Sequence, residues 1–253
     1  MRIFAVAHNT FRETVRDKVL YVLLFFAGVT VFGSKALGWI SVGQDIKIVK
    51  DISLAAISVF GALIAIFVGA SLVYKEIDKR TIYTIISRPM HRFEFVVGKY
   101  LGLMGLIALV TLVMGLVAGA YVLLLGGTID VVFVTAVVLI FWELLVVTAL
   151  AVLMSTVTSP ILGAIIVFSL YVAGHASGIL VDLPPHFENT WTETIMHVLY
   201  YIIPNLSNFN IRPEAANGVP VSMAYVGWAI VYGTVYAGML LGVAAAAFED
   251  KDV

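Results

Sequence analysis

Cysteine is absent from the 253 residues. That excludes a disulfide frame, thiolate metal ligation and a cysteine nucleophile. Charge is scarce as well. Only 12% of residues are charged, against roughly 25% in a soluble domain. The 15 basic and 16 acidic residues nearly cancel, to a net charge of −1, so no overall field draws the chain to nucleic acid. Several motifs are missing too. There is no Gly-x-x-x-x-Gly-Lys-Ser/Thr loop to cradle phosphates, no His-Glu-x-x-His and no Gly-x-Ser-x-Gly.

What is present is apolar. Hydrophobic residues make up 61% of the chain and mean hydropathy is +1.04. A soluble fold of this length cannot hide so much apolar surface, so the implied solvent is the bilayer. A helix needs roughly 20 apolar residues to cross the hydrocarbon core. Six stretches qualify, at about 19–40, 52–74, 99–125, 131–155, 160–181 and 222–248. Helices are expected because lipid cannot satisfy an open sheet edge. The expectation is an all-α polytopic membrane protein forming one transmembrane domain. The early run Val19 to Gly33 follows Arg12, Arg16 and Lys18, and Ser34-Lys35-Ala36 is a weak small-x-small site. With more spans downstream, it reads as an uncleaved first span and not a leader.

Basic residues set the orientation. Six spans place Arg2, Arg12, Arg16, Lys18, Lys75, Lys79, Arg80, Arg88, Arg92, Lys99 and Lys251 on one side. Lys35, Lys47, Lys50 and Arg212 fall on the other, which puts both termini in the cytoplasm. Ahead of the first span, Ile3, Phe4, Ala7, Phe11, Thr14 and Val15 recur near helical spacing, with Arg2, Arg12, Glu13 and Arg16 elsewhere. This predicts an interfacial helix on the inner leaflet, in contact with membrane lipid. In the outer segment 182–221, Ile195, Val198, Leu199, Ile202 and Ile203 form an apolar stripe ended by Pro204. That stripe is too short to span and predicts a re-entrant or interfacial half-helix beside Trp191, Tyr200 and Tyr201. Asp182, His186, Glu188 and Glu193 in the same segment offer a polar cargo, a periplasmic accessory protein or plain water a surface.

The inner segment Lys75 to Lys99 reads KEIDKRTIYTIISRPMHRFEFVVGK. Ile82, Ile85 and Ile86 share one helical face, and Pro89 stops the helix after Ser87 and Arg88. A topological connector needs only a few residues, whereas this one carries an apolar face with no bilayer to occupy. The stretch resembles the coupling region of ABC-2-type transporter permeases. The shared pattern runs Glu76, Thr81, the apolar turn Ile82 to Ile86, Ser87 and Pro89, Arg92, then Gly98 and Lys99 opening the third span. The span layout, the N-terminal helix, the outer half-helix and the ending Phe248-Glu249-Asp250-Lys251-Asp252 are also similar. Arg80 stands where many relatives have Gly, and the tail is more acidic than usual.

The resemblance implies a membrane subunit with no cofactor of its own. Two copies of an ATP-binding cassette subunit, carrying ATP and magnesium, would dock on Glu76, Arg80 to Ile82, Ile85 to Pro89, Arg92, Gly98 and Lys99. Two permease chains, most simply a homodimer, would build one export pathway across a bacterial or archaeal cytoplasmic membrane.

Within the spans, Glu143 sits near the middle of the fourth. A bare charge there costs roughly 2.5–3.5 kcal/mol on insertion scales. It reads either as a pathway carboxylate or as a hydrogen-bonding lock between helices. His175 near the outer end of the fifth span reads as an exit-lining or metal-binding residue, or as a packing histidine. No two of the five histidines lie at i, i+3 or i+4, so no metal site is expected. Lys35 is expected to snorkel to the interface near Trp39. Gly98/Gly102, Gly115/Gly119, Gly174/Gly178 and Gly238/Gly242 match Gly-x-x-x-Gly and are expected to permit close helix crossing. Two other classes remain beside the transporter. One is a membrane enzyme using Glu143, His175 and Ser169. The other is a stand-alone ion-coupled carrier, which calls for ionisable residues paired across spans.

Overall fold

The computed structural model describes residues 2–38, 44–74, 92–177 and 203–249. These residues form helices and no strand. In chain order the helices are α1 (Arg2–Thr14), α2 (Lys18–Gly38), α3 (Asp45–Ala70), α4 (Arg92–Leu124), α5 (Val131–Val157), α6 (Pro160–His175), α7 (Arg212–Asn217) and α8 (Met223–Glu249). A 3₁₀ turn, Leu206–Phe209, precedes α7. Five of them, α2, α3, α4, α5 and α8, are long and apolar enough to cross a membrane. The apolar α6 is shorter, at 16 residues, or about 24 Å.

Local chemistry punctuates the helices. The Asp17 carboxylate accepts the backbone N–H of Val19 at 2.9 Å and so caps the start of α2. Pro160 opens α6, where a missing N–H has no consequence. Gly218, at φ +68°, closes α7 in the left-handed conformation.

The most enclosed long helices are α3 and α5, and the least enclosed are α2 and α8. α5 packs against α3, α4, α6, α7 and α8, while α2 is held chiefly by α3. Leu54, Ile57, Leu103, Leu106, Leu139, Ile140 and Leu144 are fully buried between these helices. Apolar burial alone drives little helix association in lipid, so close fit matters more. At Gly61 an added Cβ would lie 2.5 Å from the tip of the Leu144 side chain, so a larger residue there would force Leu144 to move in the α3–α5 crossing.

Two helices begin earlier than hydropathy indicates. α3 starts at Asp45 and not near 52, because the charge of Lys50 does not stop it. Lys50 is buried and its Nζ lies 2.8 Å from Asp130 Oδ2, just before α5. α4 starts at Arg92 and not near 99, because its first turns pack on α1.

The contact with α1 also changes the reading of the N-terminal helix. Its inner face meets protein: an added Cβ at Gly98 would sit 2.8 Å from Val6, and one at Gly102 would sit 2.5 Å from the Ala7 carbonyl. Thr10 and Thr14 are buried in this seam, and Phe11 approaches Gly105. Phe4, expected on the same face, is 77% exposed on the other side. The helix thus has two apolar aspects, one for α4 and one outward.

Gly102→Leu is expected to push α1 off α4 and cost about 1–3 kcal/mol of stability, the range for forced overpacking. Gly28→Leu, where no atom lies within 4 Å, should leave the thermal unfolding midpoint unchanged. The Lys50 hydrogen bond and charge hold the Asp130 carboxyl below its ordinary range. A lowered carboxyl contributes stability above its unfolded value and loses it as pH falls through its folded one. Unfolding midpoints should therefore drop on the acid side, and Asp130→Asn should flatten that part of the profile.

Candidate functional site

Glu143 lies on the central helix α5, whose sequence is otherwise apolar around it (FWELLVV). It is 1% exposed, so its carboxyl must find partners within the bundle. Ser58 of α3 donates its hydroxyl to Glu143 Oε1 at 2.9 Å. Tyr171 of α6 shares a hydrogen bond with the same Ser58 hydroxyl at 3.0 Å. His175, one turn along α6, brings Nε2 to 3.5 Å from Glu143 Oε1. Its Nδ1 lies 3.2 Å from the Tyr171 carbonyl, and the two rings are 4.6 Å apart. One carboxyl thus joins three helices through four side chains.

The chain's end segment covers this cluster. An added Cβ at Gly174 would meet the Pro204 carbonyl at 2.6 Å, so α6 and the segment before the 3₁₀ turn touch backbone to backbone. Ser177 donates to Asn205 Oδ1 at 2.8 Å, and the Asn205 N–H donates to Tyr232 of α8 at 2.8 Å. Leu206 and Phe209 are buried beneath the turn. The arrangement can bind and pass a proton among carboxyl, hydroxyl and imidazole. Its carboxyl is met by a hydroxyl inside the bundle and not by solvent.

The expected residues distribute as follows. Glu143 and His175 come together, which spacing alone did not reveal. Ser58 and Tyr171 were missed, since a serine and a tyrosine in apolar runs are unremarkable until their partners, 85 and 113 residues apart along the chain, are known. Ser169, offered as a third member of an acid–base set, is exposed and donates to the Ile165 carbonyl at 2.9 Å. It is not part of the cluster. No group of acidic residues and histidines that could hold a metal occurs among the described residues.

Of the coupling residues, Glu76, Arg80, Thr81, Ile82, Ile85, Ile86, Ser87, Arg88 and Pro89 lie outside the described residues, as does the stripe Ile195 to Ile202. Arg92 begins α4. Lys99 is buried, 3.9 Å from Glu13 of α1 and 5.5 Å from the Phe95 ring centroid. Phe95 stacks on Phe248 at the end of α8, with centroids 5.9 Å apart. Arg12 and Arg16 are exposed on and just after α1. The first turns of α4 are therefore clamped by α1 on one side and the last turn of α8 on the other.

The model of a family described as ABC-2 family transporter protein matches residues 4–253. No curated protein matches the chain.

Glu143→Leu should strand the Ser58 hydroxyl that it accepts from and lower stability by about 1–3 kcal/mol, the penalty for a buried unmet polar group. Glu143→Gln keeps an acceptor for Ser58 and should lose less. Chemical unfolding in detergent micelles measures both, and equal losses would remove the hydrogen-bonding account.

Proposed function

The chain belongs to the ABC-2 transporter family, and on that premise we propose that ATP hydrolysis on an associated ATP-binding subunit drives export through it. Membership makes the chain a multi-pass membrane permease component, not itself catalytic. The observation that carries the finer reading is the clamp on α4. The segment 75–91 joins the end of α3 to the start of α4, and α4 is gripped there by α1 and α8. A force applied to that segment reaches three helices at once. It also reaches the polar cluster, since Tyr100 of α4 donates to the Leu145 carbonyl at 3.3 Å, two residues from Glu143. Packed helices shift as rigid bodies between two arrangements more readily than they deform.

In this reading the segment from Glu76 to Arg92 is the docking surface, with Ile82, Ile85 and Ile86 as its apolar face. Two ATP-binding subunits, holding ATP and magnesium, serve two permease chains. The simplest assembly is a homodimer with six spans per chain and α6 as the fifth. Both termini face the cytoplasm of a bacterial or archaeal cell. Glu143 and His175 line or lock the path.

A second reading has one observation in its favour. The Glu143–His175 contact is a pair of ionisable groups across two helices, as an ion-coupled carrier requires. Family membership outweighs it, because such a carrier has no use for an ATP-binding partner.

Ile82→Asp with Ile85→Asp is expected to leave the protein inserted while abolishing co-purification of an ATP-hydrolysing subunit from native membranes. Arg88→Gln with Arg92→Gln should weaken that association, with the difference shrinking as salt rises. Unchanged partner recovery in the isoleucine variant would sink the docking assignment. Cargo movement in vesicles driven by a pH gradient, with no partner and no ATP, would favour the carrier instead.

A further inference from the structure

Four basic residues lie at the end of the bundle opposite α1: Lys35, Lys47, Lys50 and Arg212. Three of them line one cavity of about 530 Å³. Lys35 comes from the last turn of α2, and Lys47 and Lys50 from the first turns of α3. The fourth, Arg212, opens the short helix α7, whose last residues Ala216 and Asn217 form another wall. Three of the four cations thus share one cavity, while the Arg212 guanidinium donates to Asn210 Oδ1 at 2.8 Å.

The charges in the cavity do not cancel. Its lining holds three lysines against two carboxylates, Asp45 and Asp130. Lys50 and Asp130 neutralise each other at 2.8 Å. Asp45 stands in the first turn of α3, where the helix dipole favours an acid. Lys35 and Lys47 are both exposed and form no ion pair among the described residues. Two ammonium groups without an ion-pair partner among the described residues therefore face a common space, against one further carboxylate, Asp45.

The cavity is not wholly polar. Ile46, Val49, Leu125 and Ala216 share its walls with the lysines. Directly along α2, Leu24, Phe25, Gly28, Val29, Phe32 and Gly33 line an apolar groove. Gly28, Phe32 and Lys35 stand at i, i+4 and i+7, on one face of the helix. Phe25, Val29 and Phe32 are exposed there. A cationic cavity thus sits at the head of an apolar furrow.

We propose that this end of the protein binds an anionic amphiphile, with a phosphate-bearing headgroup held by Lys35 and Lys47 and an acyl chain lying along α2. Lys50 serves as the wall, fixed by Asp130, and sets the cavity's shape. Lysine ammonium groups recognise phosphate as point charges, and an anionic headgroup near a membrane surface is attracted by each such charge. The site does not depend on the coupling reading and stands or falls separately from it.

The test is native mass spectrometry of the full chain released from detergent, with phosphatidylglycerol or phosphatidylcholine of the same acyl chains added. The wild type should retain phosphatidylglycerol preferentially. Lys35→Gln with Lys47→Gln should weaken that retention about 25-fold, two contributions of roughly fivefold each, and abolish the preference. Lys18→Gln, at the opposite end of α2, should behave as wild type. The exchanged lysines are exposed and form no ion pair among the described residues, so the unfolding midpoint of the double variant should match the wild type and exclude a folding defect. Equal retention of both lipids by the wild type, or an unaltered preference in the double variant, overturns the proposal. Inorganic phosphate is the separating arm. If it stabilises the wild type, is lost on the double variant, and no lipid preference exists, the ligand is a soluble anion and the lipid assignment is overturned.

Discussion

A carboxyl group in the middle of the most enclosed helix dictates much of the rest. Glu143 has no water to turn to, and a membrane interior offers no stray dipoles. Its cost is offset only where another helix brings a donor to it. Ser58 is that donor, Tyr171 bonds to the Ser58 hydroxyl in turn, His175 stands alongside, and each belongs to α3 or α6. The consequence is geometric. Apolar helices in lipid slide and rotate with little penalty, because one apolar face is much like another. A hydrogen-bonded cluster fixes their depth and rotation. The close approach at Gly61, under Leu144 one residue from Glu143, works to the same end. Fit and polarity coincide within one turn of α5.

That coincidence marks the limit of what the chain's text reveals. The all-helical membrane class follows from hydropathy, and the five long spans appear near their expected places. Glu143 stands out because a charge in an apolar run is rare. Its partners do not, since serine and tyrosine carry no such contrast and the pairing is a fact of three dimensions. The early start of α3 was hidden for a related reason. Hydropathy treats Lys50 as a stop, but the ion pair with Asp130 turns it into a buried wall residue. The glycine pairs divided the same way. Gly98 and Gly102 are seams, whereas Gly238 and Gly242 meet nothing within 4 Å. The motif records where contact is permitted, not where it occurs.

The two ends of the bundle are built differently. At the α1 end the contacts are tightly fitted and mainly apolar, with glycines on α4 and stacked Phe95 and Phe248, and with Lys99 near Glu13 as the charged exception. At the other end they are polar: Lys50 to Asp130, Ser177 to Asn205, Asn205 to Tyr232. Fitted apolar contacts move as blocks, since any relative shift opens voids. Hydrogen bonds between side chains can exchange partners at small penalty when other donors stand near. A rigid end and an end of exchangeable bonds is the division of labour that a lever needs.

The length of α4 bears on where such a lever pivots. Its 33 residues extend about 50 Å, while the hydrocarbon core is about 30 Å thick. A helix of that length outruns the apolar slab, and an unsupported end would fray. α1 and the last turn of α8 supply the support. Buried Lys99 marks the depth at which α4 passes into the bundle, and Tyr100 beside it is bonded to α5. The helix is thus held from outside by α1 and α8 and from inside by α5. In the coupling reading proposed above, the boundary between those two grips, at Lys99 and Tyr100, is where a push on the first turns would become a tilt of the rest of the helix.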